Sequence, residues 1–137
     1  MDKVVIYKIF VRGALEQSCT VWHSSLTKDQ QGDLERVQKS ALKVIMGKNY
    51  ESYENACESL QIEDLSTRRT RLSLQFTKKC LNNNQLKTLF PRKVKKSKMA
   101  TRHQDKFEVK FARTERLRKS AIPSMQKLLN SQNMKCN

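Results

Sequence analysis

Apolar residues recur along the first 81 positions at spacings that wrap one side of an α-helix, and the recurrence stops at Asn82-Asn83-Asn84. In residues 3–22, Val4, Val11, Leu15 and Trp22 share one helical face, while Ile6, Phe10, Ala14 and Val21 share a second, roughly 120° or more around the axis. A surface helix buries one stripe, so a helix apolar on two sides is either central in a bundle or asks for a partner that a short chain does not supply. Thr27 and Gln30 have the spacing of a capping box. Leu34, Val37, Ala41, Val44 and Ile45 then line one stripe of a helix that Gly47 can end, with Glu35 and Lys39 paired on its wet side. Ser52 can cap a short third helix running to Leu60. A longer helix follows near Ser66, in which Leu65, Leu72, Phe76 and Cys80 lie within about 80° of arc. Arg69 falls on the same stripe and has to snorkel to water or pair with an acid such as Glu63 or Asp64.

Past Asn84 the pattern weakens. Pro91 to Lys98 reads as a solvated basic loop, and Phe107-Glu108-Val109-Lys110-Phe111 alternates apolar and charged, as a short strand or extended segment does. Thr114 to Leu129 has helical character that Pro123 is expected to break or kink. These readings give a mainly α protein: a small bundle of three or four helices with a basic, partly extended C-terminal tail. Its expected parts are a helical region over 1–81 and a basic extension over 82–137.

Charge sharpens that division. The 137 residues carry 28 Lys and Arg against 13 Asp and Glu, a net of +15, which points to a polyanionic partner. Residues 1–26 hold a net of +1, residues 27–81 a net of +2 and residues 82–137 a net of +12. Three Gly and two Pro argue against a turn-rich β-sandwich or barrel. No apolar run approaches the roughly 20 residues of a membrane span and the start lacks the parts of a secretory leader, so the expectation is an intracellular chain, nuclear or cytoplasmic, not secreted and not in a membrane. Cys19, Cys57, Cys80 and Cys136 lie far apart with no CxxC or HxxxH spacing, as free thiols in a reducing compartment do.

The residues of catalysis are missing from the pattern. Metal-dependent nucleotidyl transfer needs converging carboxylates, yet Asp29, Asp33, Glu63 and Asp64 sit at helix starts, where the helix dipole accounts for them. There is no Gly-rich phosphate loop, nucleophile elbow or HExxH. Cys57 and Cys80 occupy apolar or helical positions without a neighbouring histidine. The expectation is a chain that is not an enzyme on its own, with no cofactor and no metal.

The run Tyr7-Lys8-Ile9-Phe10-Val11-Arg12-Gly13-Ala14-Leu15-Glu16-Gln17 followed by Val21-Trp22 resembles the segment just after the polymerase core of non-LTR retrotransposon reverse transcriptases, jockey-like elements especially. The resemblance continues, in order, through Leu34-Glu35-Arg36-Val37-Gln38-Lys39-Ser40-Ala41, Ser52-Tyr53-Glu54 with Leu60, Leu65-Ser66-Thr67-Arg68-Arg69 and the closing Arg116-Leu117-Arg118-Lys119-Ser120-Ala121-Ile122-Pro123. Where this chain has Gly13-Ala14-Leu15-Glu16-Gln17, the family often has Pro followed by Leu-Glu-Tyr. The palm carboxylates of the family, its fingers and its endonuclease are absent. The resemblance therefore implies a C-terminal fragment of an RNA-directed DNA polymerase, with the end of the thumb in 1–81 and the extension beyond it in 82–137. In the family the thumb grips the template-primer duplex and the basic extension is expected to hold template RNA or target DNA.

The expected function is non-catalytic binding of RNA or DNA with low sequence specificity, since few aromatics interleave with the bases. The phosphate-neutralising residues would be Lys93, Lys95, Lys96, Lys98, Arg102, Arg113, Arg116, Arg118 and Lys119. The competing expectations are a helical protein-interaction module, in which helix 3–22 meets a polymerase body or a second copy, and a non-functional translated remnant.

Overall fold

The computed structural model describes residues 2–92 and 106–133. They are mainly helical, with α1 (Lys3–Ile6), α2 (Arg12–Glu16), α3 (Cys19–Trp22), α4 (Lys28–Met46), α5 (Tyr53–Ser59), α6 (Leu65–Asn82), α7 (Glu115–Arg118) and α8 (Ala121–Asn133). The helical class is as expected, but the helices exceed the expected three or four, for two reasons. The predicted helix 3–22 is interrupted, since a π-helical turn, Tyr7–Val11, joins α1 to α2, and the chain leaves the helix at Gln17 and enters the left-handed region at Ser18 (φ 53). The tail region adds α7 and α8. Pro123 does not break α8: it lies in the first turn, where backbone N–H groups have no intrahelical acceptor to lose.

The chain forms two compact units, Met1–Cys19 with Leu26–Leu72, and Thr20–Ser25 with Ser73–Asn137. In the first, Tyr7, Leu42, Ala56 and Ile62 form the buried core, with Val4, Val11, Ala41, Ile45 and Leu60 packed against it. The capping box of α4 is formed, Gln30 N donating to Thr27 Oγ1 (3.2 Å) and Thr27 N to Gln30 Oε1 (3.0 Å). Gly47 ends α4 at φ 56, a conformation that costs glycine little. Ser52 caps α5 through Asn55 N (3.1 Å). The other end of α5 closes as a Schellman motif, Ile62 N donating to Cys57 O (2.8 Å) and Gln61 N to Glu58 O (3.1 Å), with Gln61 at φ 50.

Two predicted stripes are rotated. On α4 the fully buried residues are Gln38 and Leu42, while Val44 is 73% exposed and Val37 is exposed as well. The reason is polar: Gln38 accepts from the Tyr7 hydroxyl (2.6 Å) and donates to the Tyr53 hydroxyl (2.8 Å) and to Glu63 O (3.0 Å), which turns its face of the helix inward. Tyr53 in turn donates to Glu35 Oε2 (2.8 Å), whose Oε1 accepts from Ser66 N (3.0 Å) at the start of α6.

On α6 the buried residues are Leu65 and Cys80, as the predicted stripe has them, with Arg69, Ser73 and Thr77 between them; Leu65 to Thr77 is an i, i+4 row inclined to the helix axis, so that Phe76 is left 44% exposed. Arg69 does not snorkel to water, and Asp64 is among the acids whose charge favours its charged form. Arg69 is fully buried with Glu35 Oε1 at 3.9 Å, and Glu63 pairs with Arg71 instead. Burial pushes the Arg69 guanidinium below its usual value and Glu35 opposes that shift.

The second unit has its own core of Cys80, Phe90, Phe107, Met125 and Leu129, with Leu74, Leu81 and Ala121 against it. Four of those five core residues come from the region read as a basic extension. Gln126 is buried beside them and donates to Leu89 O (3.2 Å). Among the described residues no helix is long and apolar enough to cross a membrane.

Candidate nucleic-acid interface

In the second unit, the segment from Lys106 to Ala112 is held at one end and projects at the other. Phe107 is buried, its N–H donates to Asn130 Oδ1 (2.8 Å) and its carbonyl accepts from Asn130 Nδ2 (3.1 Å), so one side-chain amide satisfies both backbone groups. Phe107 also forms an isolated antiparallel bridge with Arg92, whose guanidinium lies 5.7 Å over the Phe107 ring, and Glu108 N donates to Pro91 O (2.8 Å). Alternation predicts a short strand or an extended segment; the structure gives a single isolated bridge, at Phe107, and no strand among the described residues. Pairing ends at that bridge, and Phe111, which alternation would place on the same side as Phe107, is 91% exposed.

After Ala112 the chain turns into α7, where Thr114 caps through Leu117 N (3.3 Å). Ser24 Oγ donates to Lys119 O (2.7 Å) and Ser120 Oγ to Leu117 O (2.7 Å), fixing the turn between α7 and α8. These elements enclose a groove of about 780 Å³. Val21, Leu89, Phe111, Leu117 and Ile122 line it, each an exposed large apolar residue, and Lys110 and Arg116 line it as cations.

Charge is divided between the units more sharply than along the sequence. The described residues of the first hold 11 Lys and Arg against 10 Asp and Glu, a net of +1, while those of the second hold 11 against 2, a net of +9. In the second, Glu115 pairs with Arg118 and, at 3.4 Å, with Lys119. Among the described residues no carboxylate pairs with Lys110, Arg113 or Arg116.

Of the residues expected to neutralise phosphates, Arg113, Arg116, Arg118 and Lys119 are all exposed within one stretch of seven residues. Arg118 and Lys119 share one carboxylate, which leaves Arg113 and Arg116 with the undiminished charge. Lys93, Lys95, Lys96, Lys98 and Arg102 lie outside the described residues. Lys110 and Phe111 are not among the residues that the sequence singles out for this role; the available signal is an alternation of apolar and charged residues, Phe107 to Phe111, that continues past the point where a strand partner exists.

Among the described residues no group of three or more His, Cys, Asp or Glu is placed to hold a metal ion. Cys19, Cys57 and Cys80 are free thiols, Cys136 lies outside the described residues, and burial pushes the Cys57 thiol above its usual value, away from the reactive thiolate. No protein-family model matches the chain, and no curated protein or solved structure matches it either.

Proposed function

We propose that the chain is a non-catalytic nucleic-acid-binding module, equivalent to the thumb and post-thumb region of a jockey-like non-LTR retrotransposon reverse transcriptase, which holds template-primer or template RNA through its basic residues. The observation that carries this reading is the +9 of the second unit's described residues, with Lys110, Arg113 and Arg116 unpaired by any described carboxylate. A surface that concentrates uncompensated positive charge in one compact unit attracts polyanions and releases their counterions on contact. The ordered resemblance from Tyr7 to Pro123 supplies the class of polyanion.

The test is a salt titration of binding by the full chain to an RNA or DNA duplex. Contact with roughly 5 phosphates gives a slope of log affinity against log salt near −4.5. Replacing Lys110, Arg113 and Arg116 by Gln should weaken binding to all sequences about equally and flatten the slope by roughly 2 to 3. Replacing Lys93, Lys95, Lys96 and Lys98 by Gln should act in the same direction. Binding that is flat in salt, or unmoved by both sets, would overturn the reading.

A second reading, a helical protein-interaction module, draws on Ile6, Ile9 and Phe10, all exposed, with Phe10 at 65%. Sedimentation of the chain as a monomer at all concentrations would count against self-association through that face.

A further inference from the structure

The groove of the second unit combines two features that a phosphate-tracking surface alone does not require. Phe111 stands 91% exposed, and Val21, Leu89, Leu117 and Ile122 beside it are all more than a third exposed. Five large apolar side chains left in water around one concavity are what a ligand with an apolar face would cover. The cations Lys110 and Arg116 line the same concavity, and Arg113 lies between Phe111 and Arg116 in sequence with no described carboxylate against it.

An aromatic ring with basic neighbours suits a strand whose bases are free to leave the stack: the π-face takes a base of any identity while the cations follow the phosphates. A paired duplex offers no free base face to Phe111. An apolar peptide would cover the walls but leave Lys110, Arg113 and Arg116 without counter-charge.

We propose that this groove binds an unpaired base of single-stranded nucleic acid, stacked on Phe111, with Lys110, Arg113 and Arg116 on the adjoining phosphates. The inference rests on the nucleic-acid reading above and adds a base-dependent contribution to what charge provides. Because Phe111 makes no core contact, its replacement should leave the fold intact, and the backbone clamp of Phe107 on Asn130 keeps the segment in place.

The experiment uses the full chain, an oligodeoxyadenylate of about 12 nucleotides, enough to fill a site of this kind, and an abasic strand with the same number of phosphates. The wild-type chain should bind the base-bearing strand roughly 5- to 100-fold more tightly than the abasic one. Phe111→Ala should remove most of that difference without changing the salt slope, Phe111→Trp should keep it, and Arg116→Gln should weaken both strands and flatten the slope by about 0.7. Circular dichroism verifies that each variant is folded.

Equal affinity of the wild type for the two strands, or a Phe111→Ala chain that still prefers bases, would overturn the inference while salt-dependent binding of both strands keeps the nucleic-acid reading. Loss of salt-dependent binding altogether would remove both. A dimer that Phe111→Ala converts to a monomer, with no change in strand preference, would assign the groove to a second copy instead.

Discussion

The hydroxyl of Tyr7 donates a 2.6 Å hydrogen bond to Oε1 of Gln38, 31 residues further along the chain, at a point where both side chains are buried. Both amide hydrogens of Gln38 are used as well, by Tyr53 and by Glu63 O, so the first unit is organised around a polar group whose bonding capacity is largely met. Loss of one member leaves the others buried and unsatisfied. We expect Tyr7→Phe and Tyr53→Phe each to cost about 1–3 kcal/mol and the double variant to cost less than their sum, measured by urea unfolding as a double-mutant cycle. Strict additivity would mean that the bonds do not form a single network.

Glu35 carries the charge that faces the fully buried Arg69, and it also accepts from Tyr53 and Ser66 N. Glu35→Gln should therefore destabilise by about 3–5 kcal/mol, whereas Glu35→Gln combined with Arg69→Met should recover much of the loss, because no ion then remains to desolvate. A combined variant less stable than Glu35→Gln alone would contradict this account.

Core substitutions should follow burial and not the helical arc. Leu42→Ala and Leu65→Ala, at fully buried positions, should each cost about 2–5 kcal/mol, while Phe76→Ala, at a 44% exposed position, should cost distinctly less. Thermal melts in the reverse order would place the core elsewhere on α6.

Gln61 occupies the left-handed position of the Schellman motif at φ 50, where a side chain is strained and glycine is not. Gln61→Gly should raise stability by up to about 1 kcal/mol, seen as a higher melting temperature. A lowered melting temperature would show that the Gln61 side chain contributes more than its backbone costs.

Burial, opposed in part by Arg12, pushes Tyr7 up to about 12, and burial with the hydrogen bond to Glu35 pushes Tyr53 up as well. Both phenols stay protonated in the folded chain at a pH where the unfolded chain has begun to ionise them. Their contribution is complete below about pH 10, the unfolded value, and is lost as pH rises from there through about 12 for Tyr7. Stability measured across that range should fall more steeply for the wild type than for Tyr7→Phe with Tyr53→Phe. Parallel curves would exclude the two phenols as the cause.

Helix existence was legible along the chain because capping and periodicity are local. The Thr27-Gln30 box, the stop at Gly47, the Ser52 cap and the end near Asn82 all depend on residues within a few positions of one another. The concentration of charge beyond Asn82, and with it the phosphate-binding candidates Arg113 and Arg116, was equally available to a reader of the sequence.

Which helical faces turn inward was not local. Gln38 and Arg69 are buried because Tyr7, Tyr53 and Glu35 come to them from other helices, and hydropathy alone assigns such residues to the surface. The core of the second unit draws on Cys80, Phe90, Phe107 and the i, i+4 pair Met125 and Leu129, four separate stretches that no single period links, so only the folded chain brings them together. The same holds for the groove: Phe111 is exposed because strand pairing ends at Phe107, and the nearness of Val21 and Leu89 to it is a product of chain folding. Periodicity reports how a segment is built, whereas burial depends on which distant segment meets it.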